Sequence, residues 1–161
     1  MTDESATADS LLFFEDFEPG RVFELGTRAL SEEEIIGFAA QWDPQAMHLR
    51  PSPAAPGEAP SVIASGWQTT CLWMRMYVDA VLSRAAMLSA PGVEELLWLR
   101  PVRPRMRLRG RATIIDRWRS ESVADRGTMR LRGELLDDDG APVMTMIGLG
   151  RARVRLDEQG R

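Results

Sequence analysis

The stretch SVIASGWQTTCLWMRMYVDAVLS, residues 61–83, decides the fold of this 161-residue chain. Its apolar and small side chains recur at intervals of three and four, which is the spacing of one face of an α-helix. They are Trp67, Thr70, Cys71, Met74, Val78, Val81 and Leu82. A helix this long and apolar is predicted to be central to the fold, with this face buried. Gly66 lies just before its first turn.

Downstream of this helix the period of the apolar residues changes to two, which is the period of β-strands. Four strands are predicted, in residues 93–102, 105–118, 128–137 and 142–156. Turn-forming residues such as DRG and DDDG separate the later strands. Because short turns join consecutive strands in antiparallel fashion, these segments predict a meander. One long helix against a curved antiparallel sheet is an α+β layer arrangement.

Upstream of the long helix, the sequence predicts one strand and one shorter helix. Residues 20–30 (GRVFELGTRAL) have the character of a strand. The SEEE segment that follows predicts a capping box, in which Ser31 caps the helix and Glu34 stands three residues on. Helical spacing continues through IIGFAAQW and places four side chains on one face: Ile35, Phe38, Ala39 and Trp42.

The shorter helix should end at Asp43, because Pro44 disfavours helical backbone in the residue before it. The residues from Asp43 to His48 are therefore predicted to form a loop. The segment PSPAAPGEAP, residues 51–60, contains four prolines and is predicted to be a mobile loop.

The overall composition is typical of one globular domain, with 44% hydrophobic and 27% charged residues. Residues 1–10 are polar and acidic, which predicts a disordered tail and not a signal peptide, and the domain is assigned to residues 11–157. No apolar run approaches the roughly 20 residues of a membrane span. With a single cysteine there is no internal disulfide, so a cytoplasmic location is expected. The net charge of −4 argues against a general nucleic-acid binder.

QWDPQAMH, residues 41–48, contains the single histidine of the chain, His48, five positions after Asp43. Imidazole titrates near neutrality, so it can both take and give a proton. A carboxylate beside it provides a base with an orienting partner, or a pair that grips one water. The spacing alone leaves a second interpretation open, in which Asp43 caps the loop backbone and His48 is a polar surface residue.

Gly66 and a series of arginines are the other candidates. A glycine at a helix N-terminus leaves backbone N–H groups open to a developing oxyanion, although close packing of the helix against the sheet is an equal explanation. The arginines alternate with other residues, as on a solvated strand face: Arg103, Arg105, Arg107, Arg109 and Arg111. The functional alternative is that Arg103 or Arg105, at the start of the strand, binds an anionic group such as a phosphate.

Several other kinds of site are disfavoured by the sequence. Cys71 lies on the face of the long helix that is predicted to be buried, so an inert thiol is expected. One histidine and one cysteine exclude a usual zinc site. The chain has no P-loop and no G-x-G-x-x-G segment.

Four segments taken together resemble the MaoC-like dehydratases, the group that contains the (R)-specific enoyl-CoA hydratases. They are SEEEIIGFAAQWDPQAMH, VIASGWQTT, WLRPVRP and GAPVMTMI, and the resemblance extends over roughly residues 12–155. It implies a hot-dog fold, in which a curved antiparallel β-sheet wraps a long central helix, and it implies a homodimer. It also implies that Asp43 and His48 form the hydration motif and that Gly66 supplies the oxyanion N–H. Ser65 stands where many members carry a histidine and is expected to contact substrate.

The resemblance therefore implies a hydro-lyase that adds water reversibly to a trans-2-enoyl thioester. The acyl carrier would be coenzyme A or acyl carrier protein, with no metal and no further cofactor. The sequence departs from the family pattern at Gln45-Ala46, Arg50 and Arg105-Met106, which leaves the length and branching of the acyl chain and the identity of its carrier open. The pathway is also open: fatty-acid, polyester, amino-acid or polyketide. Two alternatives remain at this point: a hot-dog acyl-CoA thioesterase and a non-catalytic acyl-thioester-binding protein.

Overall fold

A computed structural model of the chain describes residues 11–52 and 59–155. Five strands and three α-helices follow one another in these residues, with short 3-10 turns at Phe14–Asp16 and Leu82–Arg84. In chain order the elements are β1 (Val22–Arg28), α1 (Glu32–Trp42), α2 (Ala46–Leu49), α3 (Gly66–Ala80), β2 (Met87–Trp98), β3 (Leu108–Arg119), β4 (Arg126–Leu136) and β5 (Pro142–Arg153). The predicted tail 1–10, the centre of the predicted mobile loop at 53–58 and the domain's last residues 156–157 lie outside the described residues.

The strands form one antiparallel sheet in the order β1-β3-β4-β5-β2. The meander is confirmed for β3, β4 and β5, but the expectation that β2 pairs with the next strand is wrong. β2 pairs with β5 instead, for example Leu97 with Thr145. The segment 99–107 carries the chain from one edge of the sheet to β3, beside the opposite edge strand. Its length allows this crossing, whereas a short turn would have forced neighbouring strands to pair.

β2 also begins at Met87, six residues before the predicted start. Pro91 and Gly92 interrupt the alternation of side chains there, and the register with β5 shifts between Ser89 and Gly92. A proline is tolerated in this position because β2 is an edge strand, where an N–H can be lost without breaking the sheet.

The central helix is confirmed, but the predicted buried face is wrong. Trp73, Met76 and Tyr77 are buried, and the first two pack against the sheet at Gly133 and Gly110. Of the residues predicted to be buried, Val81 is buried, whereas these four are exposed: Trp67, Cys71, Met74 and Val78. The helix carries two apolar stripes, and the one that contains Trp73 and Tyr77 packs against the sheet, where Gly133 leaves room for the Trp73 indole. Cys71 is accordingly not the buried thiol that the sequence predicts.

α1 has the predicted capping box: Ser31 Oγ accepts from the Glu34 amide at 3.2 Å, and Glu34 Oε2 accepts from the Ser31 amide at 2.7 Å. The helix ends at Trp42, as Pro44 requires. Two of its apolar side chains, Ile35 and Ala39, are fully buried, whereas Trp42 is 68% exposed and not part of the core. No helix in the described ranges is long and apolar enough to cross a membrane.

Candidate active site

A cavity of about 440 Å³ opens where the end of α1, the short α2, the start of α3 and the chain after β2 meet. Asp43, Gln45 and His48 contribute one wall, residues 63–67 a second, and residues 98–102 a third. Backbone hydrogen bonds tie these segments together, from Ile63 N to Met47 O at 3.1 Å and from Ala64 N to Val102 O at 2.8 Å. The walls of the cavity are therefore fixed relative to one another.

His48 lies in α2 and not in the predicted loop, and it is only 5% exposed. The polar surface position considered for it is therefore wrong. Its Nε2 is 3.3 Å from Asp43 Oδ2, and its Nδ1 is 2.7 Å from the Ile63 carbonyl oxygen. Because a carbonyl only accepts, Nδ1 carries a proton. Nε2 then lies beside the Asp43 carboxylate, and a water placed next to both groups can hydrogen-bond to each of them.

Asp43 is held by two further side chains, one on each carboxylate oxygen. The Gln45 amide donates to Oδ1 at 2.7 Å, and the Ser65 hydroxyl donates to Oδ2 at 2.7 Å. The hydrogen bond from Gln45, followed by that from Ser65, lowers the pKa of the Asp43 carboxyl below its usual value. The carboxylate is therefore ionised and oriented toward His48.

Ser65 and Gly66 form the N-terminus of α3. Ser65 is fully buried, and its Oγ accepts from the Trp67 amide at 3.2 Å while donating to Asp43. Within the part of the chain that the structure describes, no hydrogen bond uses the Gly66 N–H. As the first residue of the helix, Gly66 directs this N–H out of the helix, where an oxygen atom can accept from it.

Close packing, the alternative considered for Gly66, is also present. The indole of Trp98, the last residue of β2, lies against Gly66, so a Cβ atom there would be 2.5 Å from Trp98 Cε2 and 2.8 Å from Cε3. Trp98 donates from Nε1 to Thr70 Oγ1 at 3.0 Å and meets Trp67 edge to face, with ring centroids 5.2 Å apart. The two indoles thus bound one side of the cavity.

The arginine series is not a continuous strand face. β3 begins at Leu108, so of the series only Arg109 and Arg111 belong to the strand, and Arg111 pairs with Glu134 at 2.9 Å. Arg105 has a positive φ of 65° in the turn before β3. Neither Arg103 nor Arg105 is among the residues that line the cavity.

Arg100 does line the cavity, and sequence reasoning missed it. Its guanidinium bonds to Asp137 at 2.7 Å and to the carbonyls of Ala141 at 2.6 Å and Pro142 at 3.2 Å. Gln45 and Trp98 were also missed as site residues. Arg100 and Trp98 lie inside the WLRPVRP segment, and Gln45 lies inside QWDPQAMH, so their proximity to recognised motifs was the available signal.

Among residues 11–52 and 59–155, no three His, Cys, Asp or Glu side chains come together in a group that could hold a metal ion. The polar groups of the cavity include a carboxylate, an imidazole, the hydroxyls of Ser65 and Thr69, an amide and a guanidinium, together with the Gly66 N–H. This set can bind a carbonyl oxygen at one end of the cavity and polarise a water at the other.

The sequence profile described as "MaoC like domain" matches residues 16–131. A curated relative, the uncharacterized protein YdeM of Bacillus subtilis, is 27% identical over 90 residues, which cover 56% of this chain and 64% of the relative. The match thus spans less than two thirds of that relative's length.

Three solved structures are similar to this one. A MaoC-like dehydratase from Rhodospirillum rubrum is 28% identical, with a TM-score of 0.79 and coverage of 89% of this chain and 98% of the other. The R-hydratase PhaJ1 from Pseudomonas aeruginosa is 19% identical, with a TM-score of 0.63 and coverage of 93% and 94%. A Mycobacterium tuberculosis protein with a double hot-dog fold is 14% identical, with a TM-score of 0.69 and coverage of 91% and 46%. The predicted α+β hot-dog fold is confirmed.

Proposed function

The chain belongs to the MaoC-like domain family, and on that premise we propose that it is an acyl dehydratase of the enoyl-CoA hydratase type. It would add water reversibly to the double bond of a trans-2-enoyl thioester. The observation that carries this proposal is the 3.3 Å contact between Asp43 Oδ2 and His48 Nε2, in a cavity that also contains the first N–H of α3. A paired carboxylate and imidazole beside an open helix N-terminus suit water addition next to a carbonyl.

The thioester carbonyl would accept a hydrogen bond from the Gly66 N–H. The positive end of the α3 dipole stabilises the negative charge that develops on this oxygen. Withdrawal of electrons from the double bond makes C3 electrophilic. Ser65 would contact the substrate from the cavity wall, while its hydroxyl keeps Asp43 in place.

Asp43 and His48 would hold one water over C3 and take its proton as the C–O bond forms. A proton then returns to C2 as the enolate collapses, and the dehydration direction reverses these steps. Because the two groups are in contact, the proposal assigns both proton transfers to the pair and not to either residue alone. The reaction adds only the elements of water, so the proposal includes no cofactor except the coenzyme A or acyl carrier protein that bears the acyl group.

A parallel assay on one crotonyl thioester tests this proposal. Loss of the conjugated enoyl absorbance reports hydration, and release of free thiol reports hydrolysis. The proposal expects the first signal without the second. Thiol release at the same rate or faster would favour the thioesterase alternative, and binding without either signal would favour a non-catalytic acyl-binding protein.

A homodimer is part of the proposal. β2 is an edge strand, and apolar side chains on β2 and α3 are exposed in the single chain: Trp67, Met74, Val78, Val93, Leu97 and Trp98. An open strand edge beside such a surface favours pairing with a second sheet. The chain covers 46% of the double hot-dog protein, so that protein has room for two such units. Light scattering should give about twice the chain mass of 18.0 kDa.

Arg103 and Arg105 remain proposed contacts for the phosphates of coenzyme A, because they lie one and three positions after Val102, the last residue of the cavity-lining segment 98–102. Loss of such a contact would raise KM for a coenzyme A thioester with little change in kcat. The increase in KM should be smaller for a pantetheine thioester, which lacks the nucleotide. The variants are Arg103→Ala and Arg105→Asn, since asparagine tolerates a positive φ. An unchanged KM in both would remove the arginines from the site. A cytoplasmic location likewise stays a prediction.

A further inference from the structure

A second cavity, of about 470 Å³, lies at the hairpin that joins β3 to β4. Its described lining comes from the ends of these two strands, from the connecting residues 120–123 and from Arg151 of β5. The amide of Leu99, which lines the active-site cavity, donates to the Val143 carbonyl at the start of β5. Arg151 lies eight positions further along that strand, or about 26 Å. None of the described lining residues belongs to the apolar surface assigned to the dimer, so the second cavity is separate from both sites.

Three side chains of this lining project from the same face of the sheet. Trp118, Thr128 and Arg151 are direct partners in neighbouring strands, and directly opposed residues of antiparallel strands point to the same side. A Cβ atom at Gly127 would contact the buried Phe14, and consecutive strand residues point to opposite faces, so Thr128 faces away from the core. The indole and the guanidinium therefore flank Thr128, on backbones about 10 Å apart.

These three side chains leave their polar groups open to a ligand. Within residues 11–52 and 59–155, no hydrogen bond or ion pair uses the Arg151 guanidinium, the Thr128 hydroxyl or the Trp118 indole N–H. Thr128 is only 8% exposed although it faces away from the core, so it forms the floor of the cavity and not its rim. A guanidinium, a hydroxyl and an indole N–H can all donate to an anionic oxygen, and the indole also offers a face for a planar ring.

Two further arginines of the lining are held by exposed ion pairs. Arg119 is 3.1 Å from Glu15 and Arg126 is 2.7 Å from Asp125, and each of these four side chains is more than a third exposed. Exposed pairs of this kind are weak, whereas a guanidinium and a phosphate form charge-assisted, often bidentate hydrogen bonds. Among the described lining residues, Glu121 is the one acid that opposes an anion. The charges of the lining therefore favour an anionic ligand.

We propose that this cavity binds a nucleoside phosphate, with the phosphate on Arg151 and Arg126 and the base against the Trp118 indole. Inorganic phosphate would use the arginines but not the ring, and an uncharged nucleoside would use the ring but not the arginines. A free nucleotide and the nucleotide end of coenzyme A present the same ring and phosphate, so the chemistry of the cavity fits both. The inference does not depend on the proposed reaction, since the two cavities share no described lining residue.

The test is calorimetric binding of adenosine monophosphate, inorganic phosphate and adenosine to the 161-residue chain. Arg151→Gln should weaken the binding of the nucleotide and of phosphate by about 10-fold. Trp118→Ala should weaken the binding of the nucleotide by about 10-fold and leave that of phosphate unchanged. Glu121→Gln should tighten both, because it removes a like charge. Arg132→Gln is the matched control, since it removes the same charge from the same face of β4 outside the cavity.

Equal affinities for adenosine monophosphate in wild type, Arg151→Gln and Arg132→Gln, all folded by circular dichroism, would overturn the inference. So would the absence of nucleotide binding to the wild type at millimolar concentration. Competition with coenzyme A identifies the source of the nucleotide. If coenzyme A displaces adenosine monophosphate, with an affinity that Arg151→Gln lowers about 10-fold, the cavity accepts the nucleotide end of the coenzyme. If bound adenosine monophosphate is unaffected by coenzyme A, the cavity takes a free nucleotide.

Discussion

Replacement of Gly66 by alanine tests whether the open N–H and the packing against Trp98 are separable. The Gly66 backbone is not in the left-handed region, so alanine can adopt it. The added methyl group would however lie 2.5 to 2.8 Å from two carbons of the Trp98 indole, against 3.4–4 Å for an ordinary contact. The ring must therefore move by roughly 1 Å.

Such a shift breaks the 3.0 Å bond from Trp98 to Thr70 and disturbs the edge contact with Trp67. The hydrogen bond contributes about 0.5–1.5 kcal/mol and the aromatic pair a similar amount. Because Trp98 is 44% exposed, its ring can move toward solvent. We therefore expect Gly66→Ala to destabilise the protein by about 1–2 kcal/mol, which is the lower half of the range usual for overpacking substitutions. In a Trp98→Ala background the methyl has space, and alanine should stabilise by about 0.4–1 kcal/mol.

Urea unfolding of the wild type, both single variants and the double variant measures the coupling free energy between Gly66→Ala and Trp98→Ala. We expect this coupling to be about 2 kcal/mol. Turnover gives a second readout: alanine keeps the backbone N–H, so Gly66→Ala should cost little activity in the Trp98→Ala background. Additivity of the two substitutions within about 0.5 kcal/mol would refute the packing argument. A large loss of turnover in both backgrounds would instead show that the glycine is needed for a reason other than space.

Two further predictions follow from the same geometry. Gln45→Ala removes the hydrogen bond that contributes most to the lowered pKa of Asp43, so this pKa should rise. The acidic limb of the pH profile of kcat/KM should then move to higher pH. An acidic limb that stays in place would contradict this role of Gln45. Gly133→Ala places a methyl 2.6 Å from the buried Trp73 ring and should lower the free energy of unfolding by about 1–3 kcal/mol. The control is Gly37→Ala, because a methyl group there enters open space on the exposed side of α1. It should raise the free energy of unfolding by roughly 0.5–1 kcal/mol. Equal changes in this free energy for Gly133→Ala and Gly37→Ala would contradict the packing of Trp73 on Gly133.

The features that sequence analysis predicted correctly are those with local causes. The capping box depends on Ser31 and Glu34, three residues apart, and the end of α1 depends on Pro44 acting on its neighbour. Strands β3, β4 and β5 follow from side-chain alternation and from turns a few residues long. The proximity of Asp43 and His48 depends on six residues of chain, although the short helix α2 that contains His48 was not predicted.

The features that were missed depend on distant residues. The buried stripe of α3 packs at Gly133, sixty positions beyond Trp73 in the sequence, and no periodicity within the helix contains that information. The contact of Gly66 with Trp98 joins two elements across the fold. The edge position of β2 depends on how the segment 99–107 crosses the sheet. Each of these is a tertiary effect that overrides local propensity.

The measurement that tests the central claim most directly is the turnover of crotonyl-CoA by Asp43→Ala, His48→Ala and the double variant. If both side chains act on the same water, each single substitution lowers the hydration rate by at least about 100-fold. The double variant then loses little beyond the slower single variant, because the pair acts as a unit. Near-normal hydration by either single variant, with the fold intact by circular dichroism, would contradict the account.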